Sequence, residues 1–155
     1  MDILRVVFVC HGNICRSTTA EFVFKKILLD RGLEKRVEVT SRAMTRDEIG
    51  NHIYPPARRV LSAHSVPFDP DKRATLFTFD DYRKNDLVLA MDSENLDDLN
   101  YATSSDPDGK VKTLTAAAGM NGEIEDPWYT GNFEKVFSLI EKACCYQSSS
   151  VPTPT

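Results

Sequence analysis

Residues 3–9, ILRVVFV, form a nearly continuous apolar run rich in β-branched side chains. Such a run fits a strand covered on both faces, as in a parallel sheet. From Thr18 the period changes. Ala20, Val23, Phe24, Ile27 and Leu28 recur at helical spacing, which predicts a helix with one buried face. Thr18 and Glu21 are spaced as a capping box at its start, and Gly32 is placed to end it. VEVTS (37–41) predicts a second strand, and Pro55-Pro56 opens a helix running to about His64. DLVLAM (86–91) predicts a third, buried strand, after which Ser93 caps a short helix with Leu96 and Leu99 facing inward. KVKTL (110–114) predicts a fourth strand. Phe133, Val136, Phe137 and Ile140 mark a last helix ending near Tyr146. The polar, Pro-containing end predicts a disordered tail over 148–155, leaving 1–147 as the folded unit.

Strands alternating with helices imply βαβ units with right-handed crossovers. Four of them give a small doubly wound α/β domain, with helices on both faces of a four-stranded parallel sheet. Ligands of such sheets sit beyond the carboxyl ends of the strands, where the strand order reverses. The segment Cys10–Arg16 leaves the end of the first strand, which nominates it as the site.

Composition narrows the picture. The chain has 155 residues, enough for one domain with a proper core. Its formal net charge of −4 gives no global attraction to nucleic acid, so any anion site must be built locally. No apolar run is long enough to span a bilayer. The start, MDILRVVFVCHGN, lacks the basic region of a secretory signal. Four cysteines, Cys10, Cys15, Cys144 and Cys145, are too few for a disulfide framework, so free thiols in the cytoplasm are expected.

Two thiols and a guanidinium crowd the stretch VFVCHGNICRSTTAEF (7–22). A metal clip, a redox pair and a nucleophile facing an anion all fit that inventory. Zinc needs four ligands. Cys10 and Cys15 offer two, and adjacent Cys144 and Cys145 chelate poorly, so no metal is expected. A C-x-x-C couple and a Walker loop are both absent. A loop wound at a helix N-terminus turns successive backbone N–H groups inward, and the helix dipole adds positive potential. Gly12 allows close approach, Asn13 tolerates a left-handed conformation, and Arg16 can grip two oxygens of a phosphate. Cys10 at the base of this cradle would be favoured as a thiolate and poised to attack phosphorus in line. Ser17 or Thr18 could donate to it.

The spacing C-x5-R-S is that of cysteine-dependent phosphatases, and the fuller string VCHGNICRSTTAE resembles the low molecular weight protein tyrosine phosphatase family. EDPWYTG (125–131) is similar to that family's Asp-Pro acid loop, and AMDSENLDDLN (90–100) to its third strand and following helix. The resemblance covers about residues 4–146. It implies a metal-independent, cofactor-free hydrolase of phosphotyrosine in proteins or peptides. Inorganic phosphate and other tetrahedral oxyanions would be its ligands. By this resemblance Cys10 is the nucleophile. The loop His11, Gly12, Asn13, Ile14, Cys15 and Arg16 binds phosphate, and Asp126 is the general acid and base. Glu125 beside Asp126 would raise the acid's pKa. The resemblance further implies that Ser17 supports the thiolate, and that Asn13, Ser41 and His64 hold the loop. Trp128 and Tyr129 would wall the slot for the phenyl ring. Cys15 would trap an oxidised Cys10 as a reversible disulfide.

The sequence also departs from the family. MTRDEIG places Arg46 and Asp47 where an aromatic wall residue is common, with Tyr54 as a partial substitute. Three rivals remain. An arsenate reductase needs further cysteines that residues 65–100 lack. A phosphoarginine phosphatase tends to have Thr where Ile14 stands. A non-catalytic phosphopeptide-binding module would be expected to lose Cys10 or Asp126.

Overall fold

The computed structural model describes residues 2–152. In chain order the elements are β1 (Leu4–Cys10), α1 (Arg16–Asp30), β2 (Val37–Ala43), α2 (Pro55–Ala63), α3 (Phe79–Lys84) and β3 (Leu87–Ala90). They are followed by α4 (Ser93–Ala102), β4 (Val111–Thr113), α5 (Leu114–Ala117), α6 (Pro127–Thr130) and α7 (Phe133–Ser149). The four strands are all parallel, in the order β2-β1-β3-β4. The expected doubly wound α/β domain is therefore the observed one.

The apolar run in β1 has a simple explanation. Val6 and Phe8 enter one core with Phe24 of α1 and Phe137 of α7, and Phe8 meets Phe24 edge-on at 5.8 Å. Val7 and Val9 enter the opposite core with Tyr82 and Leu99. Alternate side chains thus feed the two faces, and residues 6–9 are fully buried. β3 repeats the pattern, with Leu89 on the first face and Val88 and Ala90 on the second. The order reverses between β1 and β3, which makes their carboxyl ends the binding crevice.

Several local expectations are corrected. No side chain caps α1, which starts at Arg16. The Thr18 hydroxyl instead donates to the Cys15 carbonyl, and the Glu21 carboxylate accepts from Ser41 and Lys25. The uncapped, positive end of α1 is thereby left facing the crevice. A capping box does form at α3, between Thr78 and Asp81. Asp92, not Ser93, caps α4, accepting from the Asn95 N–H at 2.8 Å. The polar C-terminal run is ordered further than expected. α7 continues through Ser149 and Val151 is buried in the core. Serine hydroxyls turn back onto helix carbonyls, Ser148 onto Cys145 and Ser150 onto Gln147, and Arg31 donates to Ser148. Residues 153–155 of the expected tail lie outside the described residues. Among the described residues no helix is long and apolar enough to cross a membrane.

Candidate active site

β1 ends at Cys10 and α1 begins at Arg16, so the loop between them must reverse direction within a few residues. Asn13 takes the left-handed conformation, φ +61°, which its short amide tolerates. A Cβ on Gly12 would lie 3.1 Å from Glu48 Cγ, so a side chain there would push on the neighbouring loop. The turn aims the Asn13 N–H at Cys10 Sγ, 3.3 Å away. Ser17 Oγ stands 3.0 Å from the same sulfur.

Asn13 is almost fully buried, and its amide is fully engaged. Nδ2 donates to Ser17 Oγ (2.7 Å) and Ser41 Oγ (3.0 Å), while Oδ1 accepts from Lys72 Nζ (3.0 Å) and the Thr75 N–H (3.1 Å). Ser41 Oγ in turn donates to the buried Glu21 carboxylate at 2.5 Å. Ser17 and Ser41 thus stand where the resemblance put them, but His64 does not. It pairs with Glu134 at 2.8 Å and stacks on Phe137 at 4.1 Å, tying α2 to α7. Lys72, Thr75 and Glu21 are the supports that sequence reasoning missed. Lys72 and Thr75 lie far along the chain and carry no local motif, and Glu21 lies within the loop-and-helix string but reads there as a capping residue.

Arg16 is 2% exposed and aimed by three oxygens. Nη1 donates to Asp92 Oδ2 at 2.6 Å and to the Ile124 carbonyl at 2.9 Å, and Nη2 lies 3.5 Å from Asp126 Oδ2. Burial works against its charge, but Cys10, Asp92 and Asp126 outweigh it and raise its pKa further. Asp92 was also missed, although its place just past the end of β3 is a topological signal.

Asp126 caps α6 by accepting from the Trp128 N–H at 3.0 Å, and this turn holds its other oxygen toward Arg16. The expected influence of Glu125 on Asp126 is corrected. Glu125 is tied to Lys135 at 2.5 Å and to Asn132 at 3.0 Å. Hydrogen bonds from Lys135, Thr130 and Asn132 hold its carboxyl down at about 2. Its charge is spent on Lys135 rather than on its neighbour.

The crevice encloses about 150 Å³ above Cys10. Ile14, Asp47, Glu48, Asp126, Trp128 and Tyr129 line it together with the loop. Two expected wall residues are displaced. Arg46 is exposed and lies off the lining. Tyr54 stands behind the wall, its ring 4.7 Å from that of Trp128, where it props the indole. His11, expected to offer only its N–H, binds Asp47 at 2.7 Å and fixes the polar wall. Cys15 also reaches the crevice. Burial first, and the nearby Cys10 second, push its thiol pKa up, so Cys15 is a neutral thiol. All four cysteines are free.

A parallel α/β sheet with a thiol, one backbone N–H aimed at it and a buried guanidinium lining one crevice at the switch point defines a cysteine-based active-site class. The chain belongs to the low molecular weight phosphotyrosine protein phosphatase family, whose model matches residues 5–151. It is 33% identical over 141 residues to a low molecular weight protein-tyrosine-phosphatase, PtpA, of Staphylococcus saprophyticus, covering 91% of this chain and 89% of the relative. The crystal structure of YfkJ from Bacillus subtilis superimposes with a TM-score of 0.92 at 31% identity, covering 97% of this chain and 95% of that one. The arginine phosphatase YwlE has a TM-score of 0.83 at 25% identity, covering 94% of each chain.

Proposed function

We propose that the protein is a protein tyrosine phosphatase that works through a phosphocysteine. The observation that carries this reading is the convergence on one crevice of Cys10 Sγ, the buried Arg16 guanidinium and the Asp126 carboxyl. A phosphate monoester dianion docks on Arg16 and the backbone N–H groups of residues 11–16. Cys10 thiolate attacks phosphorus in line, and the P–O bond to the aryl group breaks. Asp126, as the acid, passes its proton to the departing phenolate oxygen. Ser17 and the Asn13 N–H help hold the sulfur. Asp126, now a carboxylate, takes a proton from a water that attacks the phosphocysteine. Phosphate leaves and Cys10 is returned as thiolate. Arg16 and the amides stabilise the equatorial oxygens in both steps, and no metal or cofactor is required by the scheme.

The substrates are phosphotyrosine in proteins or peptides, with inorganic phosphate and similar oxyanions as ligands. Ile14 and the Tyr54-braced Trp128 support an aromatic guest, since both offer apolar surface to the crevice. Cys15 acts as the redox partner of Cys10. Free thiols and the absence of a long apolar helix among the described residues suit work in the cytoplasm. The test is hydrolysis of p-nitrophenyl phosphate and of phosphotyrosyl and phosphoarginyl peptides, each with and without chelator. Chelator-insensitive turnover with preference for phosphotyrosyl peptides is expected. Preference for phosphoarginine would move the substrate class, and chelator-sensitive turnover would overturn the mechanism.

A further inference from the structure

Lys72 is a half-buried ammonium group with no part in the phosphate cradle. Its Nζ donates to Asn13 Oδ1 at 3.0 Å and to the Arg73 carbonyl at 3.1 Å. The two donors on Asn13 Oδ1, this ammonium and the Thr75 N–H, cannot accept a hydrogen bond. The Asn13 amide is therefore locked with its nitrogen toward Ser17. Ser17 Oγ must accept from Asn13 Nδ2 at 2.7 Å, so when Cys10 is the thiolate, which cannot donate, the Ser17 proton is free for Sγ at 3.0 Å. Lys72, Asn13, Ser17 and Cys10 thus form one directional chain of hydrogen bonds, with a cation at one end and the nucleophile at the other.

We propose that Lys72 is a positioning residue for Cys10: through Asn13 and Ser17 it orients the donor that holds the thiolate. The proposal rests on the phosphatase reading of the same site. A charged donor polarises a hydrogen-bonded chain more than a neutral one does, and both links to Cys10 lie in the buried interior. The groups facing Lys72 are Glu21 and Lys25 of α1, Arg42 of β2 and Cys10 itself. Burial lowers its pKa and the two cations add to that, while Glu21 and Cys10 oppose it. No carboxylate among the described residues forms an ion pair with Lys72, and Glu21, the anion that faces it, is itself held by Lys25 and Ser41.

The test reads the sulfur directly. Lys72→Met keeps the length of the stem and removes the charge and the donors. Lys72→Arg keeps both. Carboxymethylation of Cys10 by iodoacetate is followed at pH 6 and pH 9, by mass spectrometry, with p-nitrophenyl phosphate turnover measured in parallel. At pH 6 Lys72→Met should react about tenfold more slowly than wild type, the effect of about one unit in thiol acidity. At pH 9 the two rates should converge, and Lys72→Arg should track wild type at both. In a Ser17→Ala background the added effect of Lys72→Met should shrink to less than about twofold, because the chain is already cut. Equal rates for wild type and Lys72→Met at pH 6 would overturn the proposal, as would an undiminished effect in Ser17→Ala. If Lys72→Met does not fold, Lys72→Arg with Ser17→Ala decides. Arginine reacting at pH 6 as slowly as Ser17→Ala would refute a charge-borne role. Wild type without phosphatase activity would refute the functional reading instead, which the alkylation rates do not depend on.

Discussion

Arg16 Nη2 and Asp126 Oδ2 lie 3.5 Å apart across the floor of the crevice. The anion grip and the acid thus share one contact, although Asp126 lies at the far end of the chain from the loop. A phosphate oxygen entering between them would replace the Asp126 carboxylate with a phosphoryl oxygen as the partner of Nη2. The resting pair therefore keeps the guanidinium aimed before substrate arrives.

Cys10→Ser should abolish turnover, with a loss of at least about four orders of magnitude in kcat. Asp126→Ala should lose about 10²–10³-fold on phenyl phosphate and much less on p-nitrophenyl phosphate, whose leaving group needs less protonation. Equal losses on the two substrates would remove Asp126 from the acid role. Glu125→Gln should change kcat/KM less than about twofold on either substrate, since Lys135 already neutralises Glu125.

Asp92 holds Arg16 from behind at 2.6 Å while its other oxygen caps α4. Asp92→Asn keeps the cap acceptor and removes the charge. It should raise the inhibition constant for inorganic phosphate and lower kcat/KM by about 10- to 100-fold, with little change in melting temperature. Unchanged phosphate affinity would mean that the Ile124 carbonyl and Asp126 aim Arg16 without the Asp92 charge.

Cys10 thiolate attacks one oxygen of peroxide, the O–O bond breaks, and a sulfenic acid and hydroxide result. The Cys15 thiol can then displace hydroxide from that sulfur, and its proton joins the hydroxide, giving a disulfide and water. Oxidation also removes the Cys10 charge, one of the causes that keep Cys15 protonated, so it favours the second step. Mild peroxide followed by dithiothreitol should restore most activity in wild type and little in Cys15→Ser. Mass spectrometry should find a Cys10–Cys15 disulfide in wild type only. Full recovery of Cys15→Ser would remove the protective role.

Asp106 accepts from Tyr82 OH at 2.7 Å and from the Lys110 and Val111 amides at 2.8 and 3.0 Å. Partial burial opposes its charge, but bonds from Tyr82, Val111, Lys110 and Gly109 prevail and lower its pKa below the ordinary 3.8. A lowered folded-state pKa adds stability that is present above the ordinary value and lost as pH falls through the folded one. Asp106→Asn, which suits the left-handed φ of +52° there, should cost about 1–2 kcal/mol at pH 7, discounted for exposure. The gap in melting temperature between the two proteins should narrow below about pH 4. A gap that persists unchanged at pH 3 would refute the charge-based contribution.

The contacts of Arg16 with Asp92 and Asp126 join residues far apart in the chain, which is where sequence and structure part. Local order was legible wherever it depends on neighbours. The continuous burial of Val6–Val9, the helical period from Ala20 to Leu28 and the C-x5-R-S spacing each report a short-range constraint. From these follow the four parallel strands, the doubly wound form and the place of the phosphate loop at the end of β1. A loop that must present its amides to an anion needs glycine, a left-handed asparagine and an arginine at set offsets, and such offsets are visible in a sequence.

Side-chain partnerships over long separations were decided by tertiary structure alone. Lys72 rather than His64 reaches Asn13, Asp92 aims Arg16, Tyr54 props Trp128, and Lys135 takes the charge of Glu125. The tail shows the same division. Its serines read as polar and unstructured, yet they fold back on α7 and let Val151 reach the core. Composition records that a group needs a partner. Only the packed sheet and helices determine which partner comes within about 3 Å, the range in which a hydrogen bond forms.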